Sequence, residues 1–149
     1  MKTIKKLKID ELCEKFVPLT NEEIRKLMGG WYCFAYCMNY IGVDGARFEH
    51  YYDSIYGSSQ ANDGVSSAYV ESALNYAGIS YINYDGSSIT SIQPNRRQIV
   101  SINNGTHAVI YEGFYRDANN NPMIKYYDPQ DGTRASYAIT GNSISMIGF

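Results

Sequence analysis

Three residues of this chain could together perform nucleophilic catalysis: Cys33, His107 and Asp128. A cysteine nucleophile needs a base within hydrogen-bonding reach of its sulfur, and that base needs a third group to fix its tautomer and orientation. Cys33 opens a predicted helix, His107 opens a predicted strand, and Asp128 ends the strand after it. We therefore predict Cys33 as nucleophile, His107 as general base and acid, and Asp128 as the orienting carboxylate.

The helix that follows Cys33 is apolar on one face. Phe34, Met38 and Ile41 recur at helical spacing, with Cys37 beside them,. A thiol at a helix N-terminus lies at the positive end of the helix dipole, which favours the reactive thiolate. Because free cysteine is often buried as a small apolar residue, both cysteines could instead be core positions.

The second half of the chain predicts a small antiparallel sheet. The predicted strands are Ile79–Tyr84, Gln98–Ile102, His107–Tyr115, Met123–Tyr127, Ser136–Ile139 and Ile144–Ile147,. A hairpin between the third and fourth of these would bring His107 and Asp128 to one edge of the sheet. Each residue also has a plainer interpretation, as a strand-end histidine and as part of an Asp-Pro turn. Helices near Cys33, at Glu49–Tyr52 and at Ala68–Ala77 precede the strands, so the predicted fold class is α+β.

Composition limits the other classes of function. A chain of 149 residues fits one domain, and its net charge of -2 does not indicate nucleic-acid binding,. No apolar run is long enough to span a membrane. Cys33, Cys37 and His107 provide three candidate zinc ligands where a structural site uses four, so we predict no metal and no cofactor. His50, the other histidine, has no predicted strand partner to orient it, and we expect it on the surface.

The composition changes sharply at Gly30. Six of the seven lysines lie in residues 1–30, and all fifteen tyrosines lie after them. By count, residues 1–30 carry seven basic and five acidic side chains, and residues 31–149 carry six and ten. Thr20 and Glu23 form a capping box, and Gly29 can end the helix that it starts. This break predicts a separate N-terminal segment, 1–30, before a domain at 31–149.

The first segment resembles a double-glycine leader of the bacteriocin type. Such leaders are cut after the second glycine, here Gly30 following Gly29, by a peptidase-containing ABC transporter during export. Apolar residues stand at the positions that the processing peptidase grips: Phe16, Leu19, Ile24 and Leu27. The resemblance implies a cytoplasmic precursor and a protein secreted after leader removal.

Residues 31–149 resemble a compact papain-like cysteine peptidase of the bacterial set that includes the bacteriocin-processing peptidases. Cys33-Phe-Ala-Tyr36 is similar to the Cys-Trp-Ala-Phe block around the family nucleophile. His107–Tyr115 is similar to the His-Ala-Val strand that ends in Gly-aromatic, and Ile124–Gly132 to the strand that ends in Asp-Pro-x-x-Gly. Ser67–Ile79 matches the middle helix. The resemblance implies a papain-like fold, a Cys-His-Asp triad, and a peptide or protein substrate.

One departure concerns the oxyanion donor. The family has a glutamine six residues before the nucleophile, and this chain has Leu27 there. Losing one oxyanion donor typically costs about 10²–10³ in rate. The backbone N–H of Cys33, or a side chain such as Gln60 or Asn104, could substitute. Two alternatives therefore stay open: a non-catalytic secreted effector or binding protein on the same scaffold, and an amidase or acyltransferase that uses the same triad.

We expect the leader to be removed by a second protein. Cys33 lies three residues beyond Gly30, so attack on the Gly30 carbonyl at about 3–3.5 Å would require the first helical turn to unwind. The purified full-length chain should stay intact by mass spectrometry on prolonged incubation. An exporter's peptidase domain should cut wild type and Cys33→Ala equally. Concentration-independent trimming after Gly30 by wild type alone would contradict this prediction.

Overall fold

The computed structural model describes residues 30–56, 67–84, 88–139 and 144–149. Three helices come first: α1 (Gly30–Tyr40), α2 (Gly45–Tyr56) and α3 (Ser67–Ala77). Six strands follow: β1 (Ile82–Tyr84), β2 (Gln98–Ile102), β3 (His107–Arg116), β4 (Pro122–Asp128), β5 (Thr133–Ala138) and β6 (Ser145–Gly148). The predicted α+β class is confirmed at this level. The predicted leader residues Phe16, Leu19, Ile24, Leu27 and Gly29 lie outside the described residues.

The strands form one antiparallel sheet in the order β1-β6-β2-β3-β4-β5. From β2 to β5 the chain builds the sheet by hairpins, each strand next to the one before it. The last strand, β6, returns to lie between β1 and β2. The C-terminal strand therefore joins the short β1 to the rest of the sheet.

The helices cover one face of the sheet. Side chains from all three helices, including Phe34, Phe48 and Leu74, pack with Ile99 and Ile110 of β2 and β3. A second buried cluster contains Val100, Ile102, Val109, Tyr111, Ile124 and Met146 together with Ile89. Since successive strand residues point to opposite faces, these two clusters lie on opposite sides of the sheet. None of the helices in the described part of the chain is long and apolar enough to cross a membrane.

One predicted strand is shorter than expected for a local reason. The sequence predicts strand from Ile79, but β1 begins at Ile82. The backbone N–H of Ile79 donates to the carbonyl of Leu74, and that of Gly78 donates to the carbonyl of Asn75. These bonds satisfy carbonyls at the end of α3. Ile79 therefore belongs to the helix terminus, and the chain becomes extended only after it.

The crossing of α1 and α2 depends on a glycine. Asp44 caps α2 by accepting a hydrogen bond from the backbone N–H of Arg47 at 2.9 Å,. The N–H of Gly45, the first residue of α2, donates to Asn39 Oδ1 of α1 at 2.9 Å. A Cβ at Gly45 would clash with the backbone carbonyl oxygen of Ala35. The two helices can approach this closely because position 45 has no side chain.

We expect Gly45→Ala to destabilise the protein although alanine favours helix. The gain in helix propensity is about 1 kcal/mol, whereas forcing a methyl group against backbone costs about 1–3 kcal/mol and must also shift α1. Chemical denaturation should show a net loss of stability.

The control is Ala46→Gly, the reverse change at the next, exposed position. It should cost no more than about 1 kcal/mol. A Gly45→Ala variant as stable as wild type, or more stable, would show that α1 and α2 do not pack as described.

Candidate active site

The three residues predicted to act together lie within hydrogen-bonding distance. Cys33 in the first turn of α1 has its Sγ 3.3 Å from Nδ1 of His107, the first residue of β3. Nε2 of His107 lies 2.7 Å from Oδ2 of Asp128, the last residue of β4. Since an ionised carboxylate only accepts hydrogen bonds, Nε2 carries a proton and donates it to Asp128. The other ring nitrogen, Nδ1, faces the sulfur.

A β-bulge sets the register of the hairpin that carries His107 and Asp128. Near the site, Ile110 lies opposite Tyr127, whereas beyond the bulge Gly113 lies opposite Lys125. The shift between Tyr111 and Gly113 means that β3 has one extra residue relative to β4,. Gly113 has a φ of 142°, which L side chains rarely adopt. A glycine at this position therefore allows the bulge.

This register places both side chains on the same face of the sheet. Continuing from the Ile110 pair, Asp128 comes opposite Val109 and projects from the same face as Val109 and His107,. Without the extra residue, the pairing beyond the bulge would continue and place Asp128 opposite Ile110. A one-residue slip moves every side chain of a strand to the other face. Asp128 would then point away from His107.

The carboxylate of Asp128 is held by two bonds. It is 4% exposed, and its Oδ1 accepts from the backbone N–H of Gln130 at 3.0 Å while Oδ2 faces His107. The turn that begins there is closed by the N–H of Gly132, which donates to the carbonyl of Asp128 at 2.9 Å. Asp128 therefore begins the Asp-Pro turn and also places its carboxylate against His107, so the two interpretations of this residue do not exclude each other.

The turn between β2 and β3 has an unusual backbone. Asn103, Asn104 and Gly105 all have positive φ, of 52°, 55° and 85°. The N–H of Asn103 donates to the Tyr137 hydroxyl at 3.1 Å, and its carbonyl accepts from the Thr106 hydroxyl at 2.8 Å. The predicted Asn104–Gly105 turn is therefore present, and it is anchored to β5 as well as to its own hairpin.

Cys33, His107 and Asp128 share a cavity of about 280 Å³. Its remaining lining comes from the β2–β3 turn and from the face of the sheet opposite the helices: Ile102, Asn103, Thr106, Tyr126, Thr133 and Tyr137. Cys33 is only 3% exposed, so its sulfur reaches solvent through this cavity. An acyl group could approach the sulfur here.

The charge on His107 is governed by two opposing effects. Burial lowers the pKa of its imidazole, but the hydrogen bonds to Asp128 and Cys33 and the negative charge of both groups raise it, and the net result is a pKa of about 9 against an ordinary 6.5. His107 is therefore protonated at neutral pH. A cation beside a cysteine sulfur stabilises the thiolate, which is the nucleophilic form.

The neighbouring thiol of Cys37 is in a different environment. It is fully buried, and its S–H donates to the backbone carbonyl of Ala108 at 3.3 Å. Burial, followed by the negative charges of Cys33 and Asp128, raises the pKa of Cys37 well above its ordinary value. Both cysteines are buried members of one core cluster, as the core interpretation expects, and Cys33 in addition lines the cavity. Both cysteines are free thiols.

Other candidates from the sequence do not join the site. His50 is exposed on α2, as expected, and its ring packs against Tyr51. Leu27 and Gln60 lie outside the described residues. Asn104 does not line the cavity, whereas its neighbour Asn103 does. Within the described ranges no group of three or more His, Cys, Asp or Glu side chains is arranged to hold a metal ion.

Sequence reasoning missed the residues that form the cavity wall. In their strands, Ile102 and Tyr126 alternate with residues that face the helices. The period-two pattern of these strands could therefore have placed both residues on the opposite face, where the cavity lies. Tyr137 and Thr133 depend on the pairing of β5 with β4, in which Thr133 lies opposite Asp128. No local signal in the sequence specifies that register.

In Cys33→Ser, where no thiol can pass its proton to the ring, we expect the stability of the protein to fall as the pH rises above about 6.5,. The native pKa of His107 lies above its unfolded value, so the stabilisation is complete below 6.5 and is lost as the pH rises through 9,. At about 1.4 kcal/mol per pKa unit, the full shift from 6.5 to about 9 corresponds to about 3.5 kcal/mol, and the loss is smaller without the contribution of Cys33,.

Urea denaturation across this range should show the decline in Cys33→Ser and a flatter profile when Asp128→Asn is added to it, because Asp128→Asn removes the charge that His107 faces. Since other groups also titrate here, the difference between the two slopes is the quantity to compare. Parallel profiles would contradict the assigned interaction.

Comparisons with known proteins assign no family to this chain. No family model, no curated protein and no solved structure matches it. The contacts of Cys33, His107 and Asp128 are therefore the basis on which a function can be inferred.

Proposed function

We propose that this protein is a papain-like cysteine hydrolase that cleaves peptide bonds, made as a precursor whose leader is cut after Gly30 during export. The observation that carries the proposal is the continuous hydrogen-bonded chain of sulfur, imidazole and carboxylate at Cys33, His107 and Asp128. Each group has the neighbour that its role requires, and all three line one cavity,.

The first chemical step forms an acyl-enzyme. The Cys33 sulfur attacks the carbonyl carbon of the substrate, and an S–C bond forms as negative charge moves onto the carbonyl oxygen. His107 Nδ1 holds the proton that the thiol has lost and delivers it to the leaving nitrogen as the C–N bond breaks. The amine product leaves, and the acyl group stays on sulfur as a thioester.

The second step returns the enzyme to its starting state. His107, now neutral at Nδ1, accepts a proton from a water molecule as that water attacks the thioester. The C–S bond breaks, the acid product leaves, and the imidazolium again faces the thiolate. Throughout, Asp128 accepts from Nε2 and so keeps Nδ1 toward the sulfur,.

The order and placement of the elements also support a papain-like arrangement. The nucleophile lies in the first turn of a helix, and base and carboxylate come later from adjacent antiparallel strands. This is the order of the Cys, His and Asp blocks that the sequence resembles. An acyltransferase would use the same thioester with an amine in place of water, and product analysis separates the two outcomes.

We expect Cys33 to react with iodoacetamide at mildly acidic pH far faster than Cys37. The Cys33 sulfur lines the cavity 3.3 Å from the His107 ring, whereas Cys37 is buried and bonded to Ala108. Peptide-level mass spectrometry should be used, because Cys13 is a third thiol in the chain. His107→Ala should remove the preference. Equal or slower labelling of Cys33 would contradict the charged pair.

Turnover should depend on the same residues. Cys33→Ala and His107→Ala should each lower kcat on a sensitive peptide or acyl substrate by about 10⁴-fold or more, because residues that act as a unit fail together. Cys37→Ala should keep activity and lose stability, since it removes a buried side chain and its hydrogen bond. If broad substrate screening finds no turnover that Cys33→Ala removes, the hydrolase proposal fails and the non-catalytic alternative stands.

A further inference from the structure

The polar residues that line the cavity differ in whether their side chains already have partners. Cys33, His107 and Asp128 bond to one another. The Thr106 hydroxyl donates to the carbonyl of Asn103, and the Thr133 hydroxyl donates to Asp131.

The remaining polar lining residues are two tyrosines and Asn103. The Tyr137 hydroxyl accepts from the backbone N–H of Asn103, and Tyr126 also makes an interaction. Asn103 is exposed, and in the part of the chain that the structure describes its side-chain amide makes no hydrogen bond. Among the described residues that line the cavity, Asn103 therefore has a side-chain amide whose donors and acceptor are all available to a ligand.

The backbone of Asn103 is held although its side chain is not. Its N–H is bonded to Tyr137 of β5, and its carbonyl accepts from both the hydroxyl and the N–H of Thr106. Its φ of 52° is a left-handed conformation that costs energy for a residue with a side chain,. Strain of this kind persists when surrounding contacts impose it, and it concentrates at functional sites. Four residues later the same hairpin presents His107.

We propose that the Asn103 side-chain amide binds a main-chain peptide group of the substrate next to the bond that Cys33 attacks. This inference rests on the proposed function and specifies its substrate class. A carboxamide has a carbonyl acceptor and N–H donors side by side, which match the N–H and C=O of a peptide group. His107 and Asp128 bond to each other, and the lining residues other than these two and Cys33 are neutral, so the surroundings of Asn103 suit a neutral polar partner.

We therefore expect the protein to prefer peptide substrates, which have an amide next to the cleaved bond, over simple esters and isolated amides. One hydrogen bond of this type is worth about 1 kcal/mol, or about 5-fold in binding, and leaving its partner unsatisfied in a closed site costs more. Asn103 acts here as a specificity-determining residue. Its loss should weaken recognition of the peptide without changing the reactivity of the thiolate.

The test measures covalent capture of Cys33, which does not require turnover. An N-acetyl-trialanine vinyl sulfone, three analogues each N-methylated at one of its three amides, and methyl vinyl sulfone as the probe without a peptide would be compared by site-resolved mass spectrometry. Wild type should react about 10-fold faster with the peptide probe than with one of the N-methylated analogues. Asn103→Gly should lose that discrimination, while iodoacetamide labels Cys33 in both proteins at equal rates.

The matched control is Asn104→Gly. It removes the neighbouring amide from the same turn, and glycine tolerates the left-handed backbone at either position, so the hairpin should fold in both variants,. Asn104→Gly should discriminate like wild type. Asn103→Asp keeps the acceptor that pairs with a substrate N–H but loses the N–H donors that pair with a substrate carbonyl, so it should still discriminate against the N-methylated probe while reacting more slowly than wild type with the peptide probe.

Three results would overturn the proposal: equal rates for peptide and N-methylated probes in wild type, no gain of the peptide probe over methyl vinyl sulfone, or full discrimination in Asn103→Gly. A wild type that discriminates among probes but shows no Cys33-dependent turnover would support Asn103 as the peptide-binding group and defeat hydrolysis. The two proposals can therefore fail separately.

Discussion

The register between β3 and β4 is the constraint on which the candidate site depends. His107 and Asp128 are 21 residues apart in the chain, and their 2.7 Å contact exists because one extra residue at the bulge brings both to one face. The same register sends Ile110 and Tyr127 to the helix-covered face. Burial of the apolar residues and alignment of the polar pair are therefore satisfied by one backbone arrangement, and neither can be altered alone.

Cys33, the third residue of the hydrogen-bonded series with His107 and Asp128, is positioned by the packing of α1 on the sheet. One turn beyond Cys33, the thiol of Cys37 bonds to the carbonyl of Ala108, the residue after His107. Phe34 and Met38 are buried in the same cluster. The sulfur of Cys33 thus reaches the imidazole because the helix is anchored one turn later, against the strand that carries that imidazole. Two cysteines four residues apart have different roles, one structural and one facing the cavity.

Much of this arrangement can be predicted from the sequence, because it depends on local patterns. The strand Gln98–Ile102, the turn at Asn104–Gly105 and the hairpin that follows agree with the structure, since alternation and turn residues specify them. Two features could not be predicted. The insertion of β6 between β1 and β2 is a long-range pairing that no local pattern specifies. The bulge at Gly113 shifts the pairing of β3 and β4 by one residue, and the sequence of the two strands is compatible with other registers as well. The role of Asn103 depends on Tyr137, which comes from a strand whose pairing has no local signal.

Burial and charge oppose each other at His107, and the balance determines what the site can do. Desolvation alone would leave a neutral imidazole, which could accept a proton but would not stabilise an anion at rest. The carboxylate of Asp128, itself fixed by the N–H of Gln130, reverses this effect and holds the proton on the ring. The positive ring lies beside the one cysteine that lines the cavity, while Cys37, one turn away, faces a backbone carbonyl and has a raised pKa. The packing of the helix therefore determines which cysteine faces the imidazole, and the register of β3 and β4 brings the carboxylate of Asp128 to that ring.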